Sequence, residues 1–242
     1  MKSKRLEPNL IKKYLINVWL DSSRLNNQIL QKLIDPTHKS KILDIGCSHG
    51  KEVIKITKAV EKPQIWGIDI DNHAISLAKK LKIKTIKYNI ENGLPLKSNF
   101  FDIVIANQII EHILDVDRLI KEIKRVLKPS GYLLISTENL SSWHNLVALF
   151  LGWQAFSQHI SYLKNIGNPQ RLARYTNYDK SGMHIKIFTP RGLKELLELH
   201  GFEIEEFYGA GYYPFSSLVS EILSKIDRTH TAFIGAKARG RR

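Results

Sequence analysis

Two carboxylates at the ends of consecutive apolar stretches are the residues of this chain with the most definite chemistry. Asp44 sits in Ile42-Leu43-Asp44-Ile45-Gly46-Cys47-Ser48-His49-Gly50, which reads as a strand, a glycine-bearing turn and the start of a helix. Gly46 and Gly50 allow a tight turn with a ligand against its backbone. The spacing is D-x-G-x-x-x-G, whereas a turn that receives a pyrophosphate carries G-x-G-x-x-G. A carboxylate at the strand tip would repel a diphosphate but suits the ammonium of a bound amino acid. Asp69 follows in Gly67-Ile68-Asp69-Ile70-Asp71, 19 residues beyond Gly50. Its side chain either accepts hydrogen bonds from both hydroxyls of a ribose or caps the next helix. Ile70 would offer an apolar face to the attached base. The ligand implied is an amino acid joined to a nucleoside, without phosphate.

These residues need a scaffold that brings strand ends together, and the alternation of elements supplies one. Strands are expected at Ile42 to Ile45, Gln64 to Ile68, Thr85 to Tyr88, Ile103 to Ala106 and Tyr132 to Ser136. Helices are expected at Glu52 to Val60, at Ala74 to Leu81 and along the face of Leu119, Ile120, Ile123, Val126 and Leu127. Strand–helix alternation implies parallel strands joined by helical crossovers. Pro129-Ser130-Gly131 reads as a turn. Before this core, Leu10 to Val18 and Leu25 to Ile34 carry helical spacing and are expected to form two amphipathic helices. After it, a helix from Pro190 to His200 and strands at Phe202 to Tyr208 and Ala232 to Ala236 complete the sheet. The expected organisation is an N-terminal helical segment (1–35), a Rossmann-like core (36–137), a cap insert (138–187) and a C-terminal completion of the core (188–242). The fold class is α/β, doubly wound on a mostly parallel seven-stranded sheet.

The segments around Asp44 and Asp69 resemble the first two motifs of class I S-adenosylmethionine-dependent methyltransferases. Asn89-Ile90-Glu91, Leu94-Pro95-Leu96, Phe101-Asp102-Ile103-Val104, Glu111-His112-Ile113 and Leu127-Lys128-Pro129-Ser130-Gly131-Tyr132 resemble that family's later landmarks in the expected order. The resemblance implies S-adenosylmethionine as cofactor, held by Asp44, Gly46, Cys47, Gly50, Asp69 and Ile70. It also places Asn89 where an acidic residue often binds the adenine amino group, the Ile90 backbone N–H at the ring, and Asn107 at the methionine portion.

Methyl transfer is an in-line displacement at carbon, and a hydroxyl acceptor must also lose a proton. Histidine, with a pKa near neutrality, suits that task. His112, His144 and His184 are the candidates among nine histidines, each weighed against an ordinary packing role. Glu111-His112 resembles quinone-biosynthesis O-methyltransferases, whose Glu-x-x-Glu-His has been linked to a metal. Here Gln108 replaces the first carboxylate, so no metal is expected. Cys47, without an adjacent base, reads as a small buried residue.

With 242 residues, 43% hydrophobic and 25% charged, the chain should form one core with an elaboration. A single cysteine excludes an internal disulfide and a cysteine-built zinc site, and no signal peptide or membrane span is read. The net charge of +14 favours anionic partners, with Lys2, Lys4, Arg5, Lys12, Lys13, Arg239, Arg241 and Arg242 the denser basic stretches. A solvated basic surface is preferred over a nucleic-acid footprint. Trp143, Leu146, Val147, Phe150, Leu151 and Trp153, with Tyr212-Tyr213-Pro214-Phe215, form an apolar lid, a membrane-facing stripe or ordinary core. The expectation is a cytoplasmic methyltransferase, peripheral at the inner membrane surface if that stripe meets lipid. Its acceptor is a small molecule, with O-methylation of a glycan precursor, lipid or quinone-like compound preferred. RNA-directed methylation and a non-catalytic cofactor-binding module are the alternatives.

Overall fold

The computed structural model describes residues 10–169 and 183–241. Lys2, Lys4, Arg5, Arg242 and the 170–182 part of the expected cap lie outside the described residues. Seven strands form one sheet in the order β3-β2-β1-β4-β5-β7-β6. They are β1 (Lys41–Ile45), β2 (Gln64–Asp69), β3 (Lys84–Lys87), β4 (Phe101–Asn107), β5 (Leu127–Glu138), β6 (Phe202–Ala210) and β7 (Phe233–Gly240). Neighbours from β3 to β5 pair in parallel, while β7 runs antiparallel between β5 and β6.

A sheet covered on both faces needs apolar side chains at every strand position, alternating in the face they serve. Leu43, Ile45, Val104, Ala106, Leu133 and Ile135 enter one core, which includes the buried stripe Val116, Leu119, Ile120, Ile123 and Val126 of α4 (Val116–Val126). Ile42, Ile103, Ile105, Tyr132 and Leu134 enter the other, against α1 (Leu10–Leu33) and α2 (Lys51–Ile56). Each such aliphatic side chain contributes about 1.5–3 kcal/mol relative to exposure. α3 (Asn72–Lys80) completes the β2–β3 crossover, and α6 (Pro190–Leu199) starts on Pro190 behind the cap Thr189, whose Oγ1 accepts from Gly192 N at 3.1 Å.

Three expectations need correction. The first two amphipathic stretches form a single 24-residue helix. The polar stretch between them, Asp21-Ser22-Ser23-Arg24, stays helical: Ser22 Oγ donates to Val18 O at 2.8 Å, and Arg24 pairs with Asp21 three residues away. The turn read at Pro129-Ser130-Gly131 is a wide bulge inside β5. Leu127 pairs with Phe101 and Tyr132 with Ile103, leaving 128–131 opposite Asp102 alone. Lys128 Nζ donates to Asp102 Oδ1 at 2.6 Å across the gap. Finally, α7 (Ser217–Ile226), between β6 and β7, had no counterpart in the sequence reading. Within the expected cap, α5 (Trp143–Phe150) is the one helix among the described residues.

The register puts the carboxyl ends of β1, β2 and β4 on one edge. Glu138, Phe233 and Ala210 stand side by side on that same edge. In open α/β sheets this edge is where ligands bind.

Candidate active site

The turn after β1 is built on left-handed backbone at Gly46 (φ 72°), Ser48 (φ 43°) and Gly50 (φ 75°). The space a Cβ would need is filled by protein. At Gly46 it would lie 2.7 Å from Ile109 Cδ1, and at Gly50 2.3 Å from Ile83 Cδ1. These glycines therefore secure the turn's shape against its own neighbours. Gly46 N and Cys47 N both donate to Ile68 O, at 2.8 and 3.1 Å, which ties the turn to β2. The Cys47 thiol packs beneath Gly67, and burial, with the charges of Asp44 and Asp69, pushes its pKa up to about 12. It is no nucleophile, and its amide is already engaged.

Asp44 is buried, and its carboxyl accepts no hydrogen bond among the described residues. Burial, with Asp69 nearby, raises its pKa to about 8. A buried acceptor without a donor is costly, and it fits a site that a cationic donor is meant to complete. Asp69 Oδ2 accepts from Ser48 N at 2.8 Å and Oδ1 from Asp71 N at 2.9 Å. The cap of α3 is Asp71, which accepts from His73 N and Ala74 N, so Asp69 is not spent on that role. Each Asp69 oxygen keeps a lone pair for a further donor. Ile70 is 54% exposed beside it, as an apolar platform should be. Asn89 is exposed, its Oδ1 capping the short helical turn Ile90–Asn92 by accepting from Glu91 N at 3.1 Å.

Asn107 belongs to a network that the sequence did not disclose. Its Oδ1 accepts from Ser136 Oγ at 2.6 Å and Asn26 Nδ2 at 3.0 Å, and its Nδ2 donates to Asn27 Oδ1 at 3.0 Å. Tyr208 OH donates to Asn26 Oδ1 at 2.8 Å. α1 is thus fastened across the carboxyl edge, and the side chain expected at the methionine portion is turned to it.

A second polar centre lies beyond β4 and β5. Glu111, His112 and His184 each present one polar atom, all within 4.8 Å of one another. The His112 and His184 rings meet edge to face at 4.9 Å. Glu111 is fully buried, accepting from Thr137 Oγ1 at 2.9 Å, and burial raises its carboxyl to about 7 against the pull of His184. Gln108, in place of the lost carboxylate and oriented by the bonds around it, donates its amide nitrogen to Glu111 Oε1 at 3.2 Å. His112 Nδ1 lies 2.7 Å from Met183 O, an acceptor, so Nδ1 carries the proton and Nε2 the basic lone pair. Burial, then His184, holds its pKa below the usual histidine value.

His184 Nδ1 lies 2.8 Å from Ser157 O and 3.5 Å from Glu138 Oε2. Burial opposes its protonation, but Glu138 and Glu111 outweigh it and carry the pKa up to about 9. His184 is therefore a cation at neutral pH. His144 does not join this group. It packs on Tyr213 at 4.4 Å between ring centres, its Nδ1 is buried without a partner, and burial pushes it down to about 4. Glu138 was missed, although an acid closing a strand on the ligand edge was a readable signal. Met183, Ser157 and Asn26 gave none, being brought in only by tertiary packing. No metal was expected, yet the atoms of Glu111, His112 and His184 are close enough to hold a divalent cation.

Comparisons with known proteins identify the family. A family model described as a methyltransferase domain matches residues 18–206. The mitochondrial ubiquinone biosynthesis O-methyltransferase of Rattus norvegicus is 28% identical over 194 residues, covering 75% of this chain and 49% of that protein. The human protein of the same name is 27% identical over 189 residues, covering 73% and 45%. The chain spans about half the length of these curated relatives. An S-adenosylmethionine-dependent methyltransferase from Mesorhizobium loti superposes with a TM-score of 0.59 at 17% identity, covering 88% of this chain and 96% of that one, a likeness of fold. The chain belongs to the S-adenosylmethionine-dependent methyltransferases of class I.

Proposed function

We propose that this chain methylates a hydroxyl group of a small, largely apolar acceptor, with a lipid, glycan precursor or quinone-like compound as the class, and that His112 is its base. The observation that carries this reading is the tautomer of His112. Its Nδ1–H faces a backbone carbonyl, leaving a neutral, basic Nε2 without a hydrogen-bond partner among the described residues. The names of the rat and human relatives, O-methyltransferases of ubiquinone biosynthesis, support hydroxyl chemistry.

When bound, S-adenosylmethionine supplies a methyl group already activated on a sulfonium. Asp44 and Asp69, on the turn that Gly46 and Gly50 shape, with Ile70, Asn89 and the backbone of Ile90 around them, would hold and orient it. Asp44 would meet its ammonium and Asp69 its ribose. His112 Nε2 takes the acceptor's proton as the oxygen becomes nucleophilic, and the His184 cation, kept charged by Glu138, steadies the developing oxyanion. Glu111 adds to the negative charge that keeps His184 protonated.

The test is methyl transfer from radiolabelled cofactor to a panel of catechols, hydroxylated lipids and glycans. His112→Gln should abolish transfer while calorimetric cofactor affinity stays within about twofold; full activity in that variant overturns the base assignment. Dialysis against a chelator should leave turnover unchanged. Loss restored by a divalent ion would put a metal where the His184 charge is proposed. The net charge of +14 favours one competing acceptor, RNA, which transfer into RNA in preference to every small molecule would establish. Among the described residues no helix is long and apolar enough to cross a membrane.

A further inference from the structure

Two helices at the carboxyl edge are built inside out. In α7 the buried residues are Ser220 and Ser224, while Leu218, Val219, Ile222 and Ile226 are 71%, 45%, 52% and 77% exposed. The serines are used inward: Ser220 Oγ accepts from Tyr212 N at 2.6 Å, and Ser224 Oγ donates to Ser220 O at 2.7 Å. In α5 the buried residues are Asn145 and Ala148. Asn145 donates to Asn139 O and Ser157 Oγ, while Phe150 stands 90% exposed with Val147 and Leu151 also outside. A helix that buries its polar residues and exposes its aliphatic ones has a second apolar environment to meet.

The two helices are neighbours. Trp143 at the head of α5 donates to Tyr212 OH, which donates to Asp227 Oδ2 just beyond α7, and the Trp143 ring lies 4.5 Å from that of His230. Both leave the sheet where Glu138 and Ala210 stand, on the edge that carries Asp44, Asp69 and the His112–His184 centre. Exposed cations stand at the ends of these elements: Lys225, paired with Glu221, and Arg228 at the end of α7, and Lys13 on α1 beside Tyr14, whose hydroxyl donates to Pro214 O.

We infer that the outward faces of α5 and α7 dock this enzyme on an anionic bilayer, with the mouth of the active site against the lipid. Aliphatic and aromatic side chains enter the interface, and the lysines and Arg228, within a chain of net charge +14, meet the headgroups. An apolar acceptor then reaches His112 from the bilayer without crossing water. This deepens the proposed function by assigning the route of the acceptor, and it rests on that reading only for what is delivered.

Flotation of the full chain with phosphatidylcholine vesicles, with and without about one third phosphatidylglycerol, tests it without cofactor or acceptor. Binding should be at least tenfold tighter to the anionic vesicles and should weaken with salt. The exposed substitutions Ile222→Glu and Phe150→Glu should each lower it about tenfold, with unchanged thermal melting and unchanged cofactor affinity. Absence of wild-type flotation overturns the inference, as does flotation equal in both variants. So does light scattering that shows a dimer which Ile222→Glu dissociates, because a second copy would then be the occupant. Each of these failures leaves methyl transfer and the role of His112 untouched, so the two proposals fall separately.

Discussion

Asp44 and Glu111 are both carboxyls sunk at the ligand edge, and both are pushed toward neutrality by burial, yet they are left in opposite states. Glu111 is surrounded by the molecule's own donors, Thr137 and Gln108, with the His184 cation close by. Asp44 has no donor among the described residues and a like charge, Asp69, nearby. The first arrangement is finished without a ligand and helps to keep the His184 imidazole charged. The second becomes favourable only when a positive group arrives. A buried polar group that is satisfied organises its surroundings, and one that is unsatisfied marks where binding energy is to be gained.

That contrast can be broken at several points. The largest effect should come from the finished centre. His112→Gln should reduce kcat by about 10²- to 10⁴-fold in a radiometric assay, with cofactor affinity retained. Next, Asp44→Asn should weaken cofactor binding in calorimetry by about tenfold to a hundredfold, because a neutral amide cannot face an ammonium as a carboxylate does. Asp69→Ala should do the same through the ribose, and undiminished affinity would remove that residue from the site.

The pH response follows from the Asp44 value. Below about pH 8 the empty carboxyl is mostly protonated, and binding a cation must release that proton. Affinity should therefore climb by about tenfold per pH unit toward pH 8 and flatten above it. In Asp44→Asn the slope should vanish, whereas in Glu111→Gln it should persist. The last effect concerns stability without cofactor. A carboxyl whose pKa rises on folding favours the native state fully below its unfolded value near 3.8, and this contribution is lost as pH rises through about 8. Asp44→Asn should thus be more stable than the parent by on the order of 5 kcal/mol in urea unfolding at pH 8.5, with little or no gain at pH 4.

How much of this was readable from residues depended on whether pattern and burial agreed. In α4 every third or fourth residue is aliphatic and buried, so the helix and its inward face were both visible in the chain. The strands β1, β2 and β4 were equally plain, because two-sided burial demands unbroken apolar runs. α7 escaped because its aliphatic residues face out and serines face in, the reverse of what periodicity is read to mean. The break in α1 was placed between Val18 and Leu25, whereas Ser22 there bonds back within the helix. Of the site, the strand-tip acids and the pair Glu111-His112 stood in recognisable spacing. His184 was one histidine among several until Glu138 and Ser157 were placed beside it, and His144 had equal standing in sequence but lies among aromatic rings.

The seat of Cys47 has a practical consequence. It is the single thiol of the chain, locked under Gly67 and kept protonated, at the point where the cofactor turn leaves the sheet. A maleimide can reach it only when that turn lifts, so its alkylation rate counts openings of the turn. The chain thus carries a native clock for the breathing of the turn proposed to cradle the cofactor, and its slowing on ligand addition would time closure with no label introduced by mutation.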